Sequence, residues 1–207
     1  MVRLFFIIAM TLLFSGCAHK ISLEGDINRK DVSLGDKKNT SKVGLYVNQS
    51  ENTKEFISDG GGGDKLSYYP YKDISKMLYK ALKGTFKNIQ KVSNNDKNSN
   101  IKYFFKIANI ETSSSSSSFA FWPPEEFSIK IDLQVFDKSQ KMIWGKEVIG
   151  HGSAVRSEFL NDFSIAARKA SKDAVMKLYD EIISSSIFSN SIQITKQPTN
   201  VGINDWR

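Results

Sequence analysis

Few side chains in this chain can do chemistry. There is one thiol, Cys17, and there are two imidazoles, His19 and His151. A lone thiol serves as an alkylation site, or as a nucleophile when a base stands beside it. Two isolated histidines without cysteine partners do not make a metal centre, so no metal and no cofactor is expected. A Ser-His-Asp triad would have to use His151, which lies in Gly150-His151-Gly152-Ser153. That run continues a strand pattern and is not the Gly-x-Ser-x-Gly elbow that lifts a nucleophile on a strand-to-helix turn. The run Gly60 to Gly63 could offer backbone N–H groups to an anion. A phosphate-binding loop needs Gly-Lys-Ser/Thr at a set spacing, and here Asp64-Lys65-Leu66 follow. No catalytic residue is assigned, and the chain is not read as an enzyme.

Cys17 is the residue with a context. Arg3 precedes an apolar run from Leu4 to Phe14, broken only by Thr11, and Ser15-Gly16 supply small residues ahead of the thiol. A charged start, a short apolar run and a small-residue exit are the marks of a secretory signal, here residues 1–16. The run is too short for a spanning helix, which needs about 20 apolar residues. Leu13-Phe14-Ser15-Gly16-Cys17 resembles the lipobox of bacterial lipoproteins, with Phe14 where Leu is usual. The resemblance implies cleavage before Cys17 and its conversion to a diacylglycerol-cysteine, with palmitate-type chains. Two or more acyl chains anchor a protein stably, since each buried methylene contributes about 0.8 kcal/mol. Ala18 stands where Asp would follow in an inner-membrane lipoprotein, so the resemblance implies the periplasmic side of the outer membrane.

With Cys17 acylated, no cysteine is left for a disulfide, and the domain must be held by its core. Apolar residues make up 40% of the 207, including 14 Phe, which is enough for one domain. The net charge of +7 is carried by scattered Lys. Beyond Arg3 only Arg29, Arg156, Arg168 and Arg207 occur, and bidentate phosphate readers favour Arg, so nucleic acid is not an expected partner.

One stretch has an unusual texture. Between Thr112 and Glu126, six serines (113–118) precede Phe119-Ala120-Phe121-Trp122-Pro123-Pro124. It joins two strong strand patterns, where a short turn would suffice, and long loops in compact domains tend to be functional. Exposed aromatics form contact surfaces, so Phe119, Phe121 and Trp122 are the candidate partner-binding residues. The competing reading folds these rings back onto an open sheet face.

The elements that would carry these residues follow from periodicity. Residues 17–41 are polar and read as a lipidated N-terminus with a flexible tether. A strand is expected at 42–48, then a long loop through the glycine run. A helix follows over 73–86, with Ile74, Met77, Leu78, Ala81 and Leu82 on one face, Asp73 as its cap and Gly84 near its end. Strands are expected at 101–108, 127–136 and 141–154, with a hairpin turn at Asp137-Lys138-Ser139-Gln140 and a bulge or frayed end at Gly150 and Gly152. A helix over 161–184 carries an Ala-rich stripe, and residues 185–207 read as a polar tail. The order β-α-β-β-β-α gives an α+β two-layer sandwich over 42–184, a mostly antiparallel sheet with two helices on one face.

Leu133-Gln134-Val135-Phe136-Asp137 with Lys141-Met142-Ile143-Trp144, and the Ala-rich helix after them, resemble the small periplasmic lipoprotein domains of the YajG and CsgG type. The LPS-assembly lipoproteins have a comparable layout, but begin their first strand almost directly after the Cys. The resemblance implies a non-catalytic, membrane-anchored adaptor for an envelope protein or polymer. A homo-oligomeric subunit of an envelope assembly, joined through sheet edges, is the alternative. A periplasmic hydrolase using His151 is the weaker one.

Overall fold

The computed structural model describes residues 18–28, 31–32, 38–59, 65–93, 100–116 and 125–189. The strands are β1 (Ala18–Lys20), β2 (Asn39–Tyr46), β3 (Phe56–Asp59), β4 (Lys65–Tyr68), β5 (Phe86–Val92), β6 (Tyr103–Ser116), β7 (Glu125–Phe136) and β8 (Met142–Ala154). The helices are α1 (Gln49–Asn52), α2 (Pro70–Thr85), α3 (Arg156–Asn161), α4 (Ile165–Ser184) and α5 (Ser186–Ser189). The main sheet has the order β5-β2-β6-β7-β8, and a small sheet has the order β1-β4-β3. The long ladders β6–β7 and β7–β8 are antiparallel, whereas β2 pairs in parallel with both β5 and β6. The α+β two-layer architecture is as the periodicity predicts.

Alternation decides the layers. Val43, Leu45, Phe105, Ile107, Ile129, Ile131, Leu133 and Val135 are buried under the helices, while Lys106, Lys130, Asp132 and Gln134 stand on the other face of β6 and β7. α2 starts with Pro70 in its first turn, where the missing N–H costs nothing. Its stripe of Ile74, Met77, Leu78, Ala81 and Leu82 is fully buried, each large side chain contributing about 1.5–3 kcal/mol. The β7–β8 hairpin turns where expected. Asp137 Oδ1 accepts from the N–H groups of Ser139 (2.8 Å) and Lys141 (3.0 Å), and Gln140 takes a positive φ of 60°.

The residues read as a flexible tether are part of the core. Ile21, Leu23, Ile27 and Val32 are buried, Leu23 completely. This strap lies across the helical layer. Asp73 does not cap α2; its Oδ2 accepts from Leu23 N–H (2.9 Å) and from the Ser22 hydroxyl (3.2 Å). Glu24 bridges Lys76 and Lys80 of α2, and Asp31 pairs with Lys172 of α4. Gly84 stands one residue before the end of α2, as expected, at a point where a Cβ would overlap the carbonyl of Val32. Polar residues alternate with apolar ones in this strap too closely for composition to reveal them.

Three further elements depart from expectation. The stretch read as one loop after β2 contains α1 and the β3–β4 hairpin; Gly60 to Gly63 lie outside the described residues. β5 follows α2 directly, and closes the parallel side of the sheet. The polar tail begins later than residue 185. Phe188 is fully buried among Phe86, Tyr103, Phe105 and Trp144, and Asn39 Nδ2 donates to its carbonyl (2.8 Å).

Candidate functional site

Cys17 lies outside the described residues, but the residue after it begins β1. Ala18, His19 and Lys20 pair in parallel with Lys65, Leu66 and Ser67. The ring of His19 stacks on Phe163 at 4.5 Å, just ahead of α4. Ser22 N–H then donates to Ser164 Oγ (3.2 Å), and Ile21 N–H to the Ser67 carbonyl (2.9 Å). The chain is therefore fixed to the domain from the first residue after the thiol, with no span of free tether between.

The small sheet lies at one end of the molecule. The Tyr68 ring meets Phe127 at 5.7 Å, and its hydroxyl is 2.7 Å from Thr112 Oγ1. Phe127 is paired with Ser114 of β6 and Gly152 of β8. The strands continue to Ser116 and resume at Glu125, so the loop expected over 112–126 is shorter, and its roots lie at this same end. Phe119, Phe121 and Trp122 lie outside the described residues.

An open groove of about 620 Å³ is lined by Ser113, Glu126, Ser128, His151, Ser153 and Lys169 among others. Ser128 sits directly across from His151 in the ladder. Among the described residues, no hydroxyl or carboxylate bonds the His151 ring. No group of three metal-ligating side chains occurs among them either.

The glycines flanking His151 have a packing reason. Gly150 and Gly152 point at α4, where a Cβ would overlap the backbone of Ala170 and Ala174, or of Ala166 and Ala170. Together with Ala166, Ala170 and Ala174 they let the helix lie against β8 with nothing between. The expected bulge or frayed end is thus an intact strand under a close helix, as β8 pairs with β7 through to Ala154.

β8 is an edge strand, and α4 covers its free backbone groups. Lys177 Nζ donates to the Ile149 carbonyl (2.8 Å), Asp173 Oδ2 accepts from His151 N–H (3.0 Å), and Lys169 Nζ donates to the Ser153 carbonyl (3.0 Å). Burial pushes the Asp173 carboxyl up, but the bonds from Lys177 and His151 N–H outweigh it and leave the pKa lowered. A charged row spaced four residues apart along a helix thus occupies groups that another strand would use.

The open face of the main sheet carries an ion-paired centre and an apolar corner. Lys130 lies between Glu111 (2.8 Å) and Glu147 (3.6 Å), and the Glu111 bond holds its pKa above the ordinary lysine value. Val92, Ile101 and Phe104 form a second, smaller core with Tyr46 and Phe136.

No family model matches this chain, and no curated protein matches it. Among solved structures it is similar to a DUF330-family protein from Xanthomonas campestris, at 9% identity and TM-score 0.44, over 82% of this chain and 92% of that one. It is also similar to a minor lipoprotein from Acinetobacter baumannii, at 11% identity and TM-score 0.42, over 69% of this chain and 91% of that one. A third is the uncharacterized lipoprotein B from Nitrosomonas europaea, at 10% identity and TM-score 0.40, over 81% and 92%. Similarity this distant leaves the function to be read from the chain's own residues. No helix among the described residues is long and apolar enough to cross a membrane.

Proposed function

We propose that this protein is a non-catalytic envelope lipoprotein, acylated on Cys17 and held on the periplasmic side of the outer membrane. The observation that carries this reading is the sole thiol behind an apolar run ending in Ser15-Gly16. The test is the intact mass of the protein purified from its native envelope. A mature chain beginning at Cys17 with added acyl mass is expected, and Cys17→Ser should abolish both the added mass and membrane fractionation. A free thiol at Cys17 in the wild-type protein would refute it.

Its task would be that of an adaptor for an envelope protein, with Phe119, Phe121 and Trp122 as contact residues. Trp122→Ala should weaken capture of the partner from envelope extracts and leave thermal stability nearly unchanged. The hydrolase alternative rests on His151, and an unaltered cellular phenotype for His151→Ala would remove it. For the oligomeric alternative, the covering of β8 by Lys169, Asp173 and Lys177 counts against pairing at that edge. An edge-to-edge assembly would have to use β5 or an edge of the small sheet, β1 or β3.

A further inference from the structure

We infer that the outward face of the small sheet, with the lysines around it, is a surface that docks on anionic lipid headgroups. The inference rests on the proposed acylation of Cys17 and adds to it a fixed orientation. A free tether over residues 18–41 would reach up to about 80 Å at full extension. The fold removes that reach, because β1 begins at Ala18 and the strap behind it is bonded to α2 and α4. Successive Cα atoms are about 3.8 Å apart, so an anchor on Cys17 sits beside Ala18 and its ladder partner Lys65. A domain attached at that point cannot range away from the bilayer.

The chemistry around that point suits headgroups. In the ladders Lys20, Ser67 and Ile57 form one row, and side chains directly opposite each other share a face. Leu66 and Tyr68 on the other face are buried in the core. On this face Ser67 is covered, its hydroxyl bonded to Glu55, while Lys20, Lys65 and Ile57 are exposed around it. Ile57 is 62% exposed, a large apolar side chain with no cover. The ammonium groups of Lys20 and Lys72 stand 5.2 and 5.9 Å from the centre of the Tyr69 ring, and that of Lys54 stands 5.2 Å from the Phe56 ring. Lys65 is exposed beside Ala18. The acidic residues near this face among the described ones include Glu51 of α1 and Glu55, which accepts from the Ser67 hydroxyl; Asp59 lies opposite Lys65 in register. Lys20 and Lys72 beside the Tyr69 ring, with Lys65 and the exposed Ile57, match a headgroup layer in charge and in apolar content. Phe56 under Lys54, by contrast, pairs with Tyr68 and lies on the opposite face.

The test uses the acylated full chain reconstituted into phosphatidylglycerol-containing vesicles, with lysines labelled by a water-soluble acetylating reagent and read by mass spectrometry. A lysine near an anionic surface contributes a factor of about five to docking. Lys20, Lys65 and Lys72 should therefore label at least about fivefold more slowly than in detergent. Lys146, paired with Glu181, and Lys138 in the β7–β8 hairpin should not change. Replacing the phosphatidylglycerol by phosphatidylcholine should restore labelling of these lysines, and protection that persists on the neutral vesicles would overturn docking on anionic headgroups. An acylated protein whose lysines all label alike in vesicles and in detergent would overturn this inference and leave the acylation standing. Protection appearing only when envelope proteins are added would assign the surface to a protein partner and overturn it as well. An unmodified Cys17 would overturn both readings.

Discussion

Leu23→Ala tests whether the N-terminal strap is structure or tether. Leu23 is fully buried, and its N–H is held by a buried carboxylate, Asp73. Truncating a buried Leu removes its transfer free energy and leaves a cavity, which together cost about 2–5 kcal/mol. A domain of this size loses about 2–4 °C of melting temperature per kcal/mol, so a loss of about 3 kcal/mol lowers it by roughly 6–12 °C. A substitution on a free tether would stay within about 0.5 kcal/mol. The assay is thermal unfolding followed by circular dichroism, with the parent and Asp26→Ala, an exposed position of the same strap, in the same buffer. Hydrogen exchange supplies the second readout, since the amides of Leu23 and Gly25 have partners in Asp73 Oδ2 and Met77 Sδ. A Leu23→Ala protein melting within about 1 °C of the parent, with strap amides exchanging at unprotected rates, would refute the packed strap.

Three further outcomes are expected. Gly150→Ala and Gly152→Ala should each cost about 1–3 kcal/mol or more, because the new methyl meets helix backbone that cannot rotate away. Gly145→Ala, facing only the flexible end of Met142, should cost much less in the same denaturant titration. The combined change of Lys169, Asp173 and Lys177 to Ala should free the edge of β8, and concentration-dependent association in analytical ultracentrifugation would show it; a strictly monomeric triple variant would argue that the helix charges do not guard that edge. The strap should loosen in acid. The Lys76 bond holds the Glu24 carboxyl below its ordinary value of 4.5, against the opposing effect of burial, with Lys80 adding to the shift; the Lys172 bond does the same for Asp31. Groups with depressed values stabilise the fold above the ordinary carboxylate pKa, and that contribution is lost as pH falls through the depressed value. Strap protection in hydrogen exchange should therefore fall below about pH 4, after correction for the intrinsic rate, and Glu24→Gln should flatten that change.

The sequence by itself determined the repeating parts. Alternation in Phe127 to Phe136 and the stripe from Ile74 to Leu82 are local regularities, each imposed by one element's geometry, so they are legible without partners. The turn at Asp137 to Gln140 is local in the same sense, since a carboxylate reaches the N–H two residues on. The lipobox resemblance at Cys17 is likewise a property of adjacent residues.

Only the tertiary structure decided what the irregular segments do. Residues 21–28 carry a period-two alternation under a charged composition, and Ile21, Leu23 and Ile27 are buried by it, but which surface they meet is set by Asp73, Lys76 and Lys172 far along the chain. Gly150-His151-Gly152 looks like chemistry in one dimension. In three it is a seam for Ala166, Ala170 and Ala174, because close approach of two backbones depends on a partner far along the chain. Phe188 belonged to a polar tail by composition and to an aromatic cluster by position. Local pattern records the shape each element must have. Burial of an irregular segment depends on which surfaces meet it, and that is settled only when the whole chain has packed.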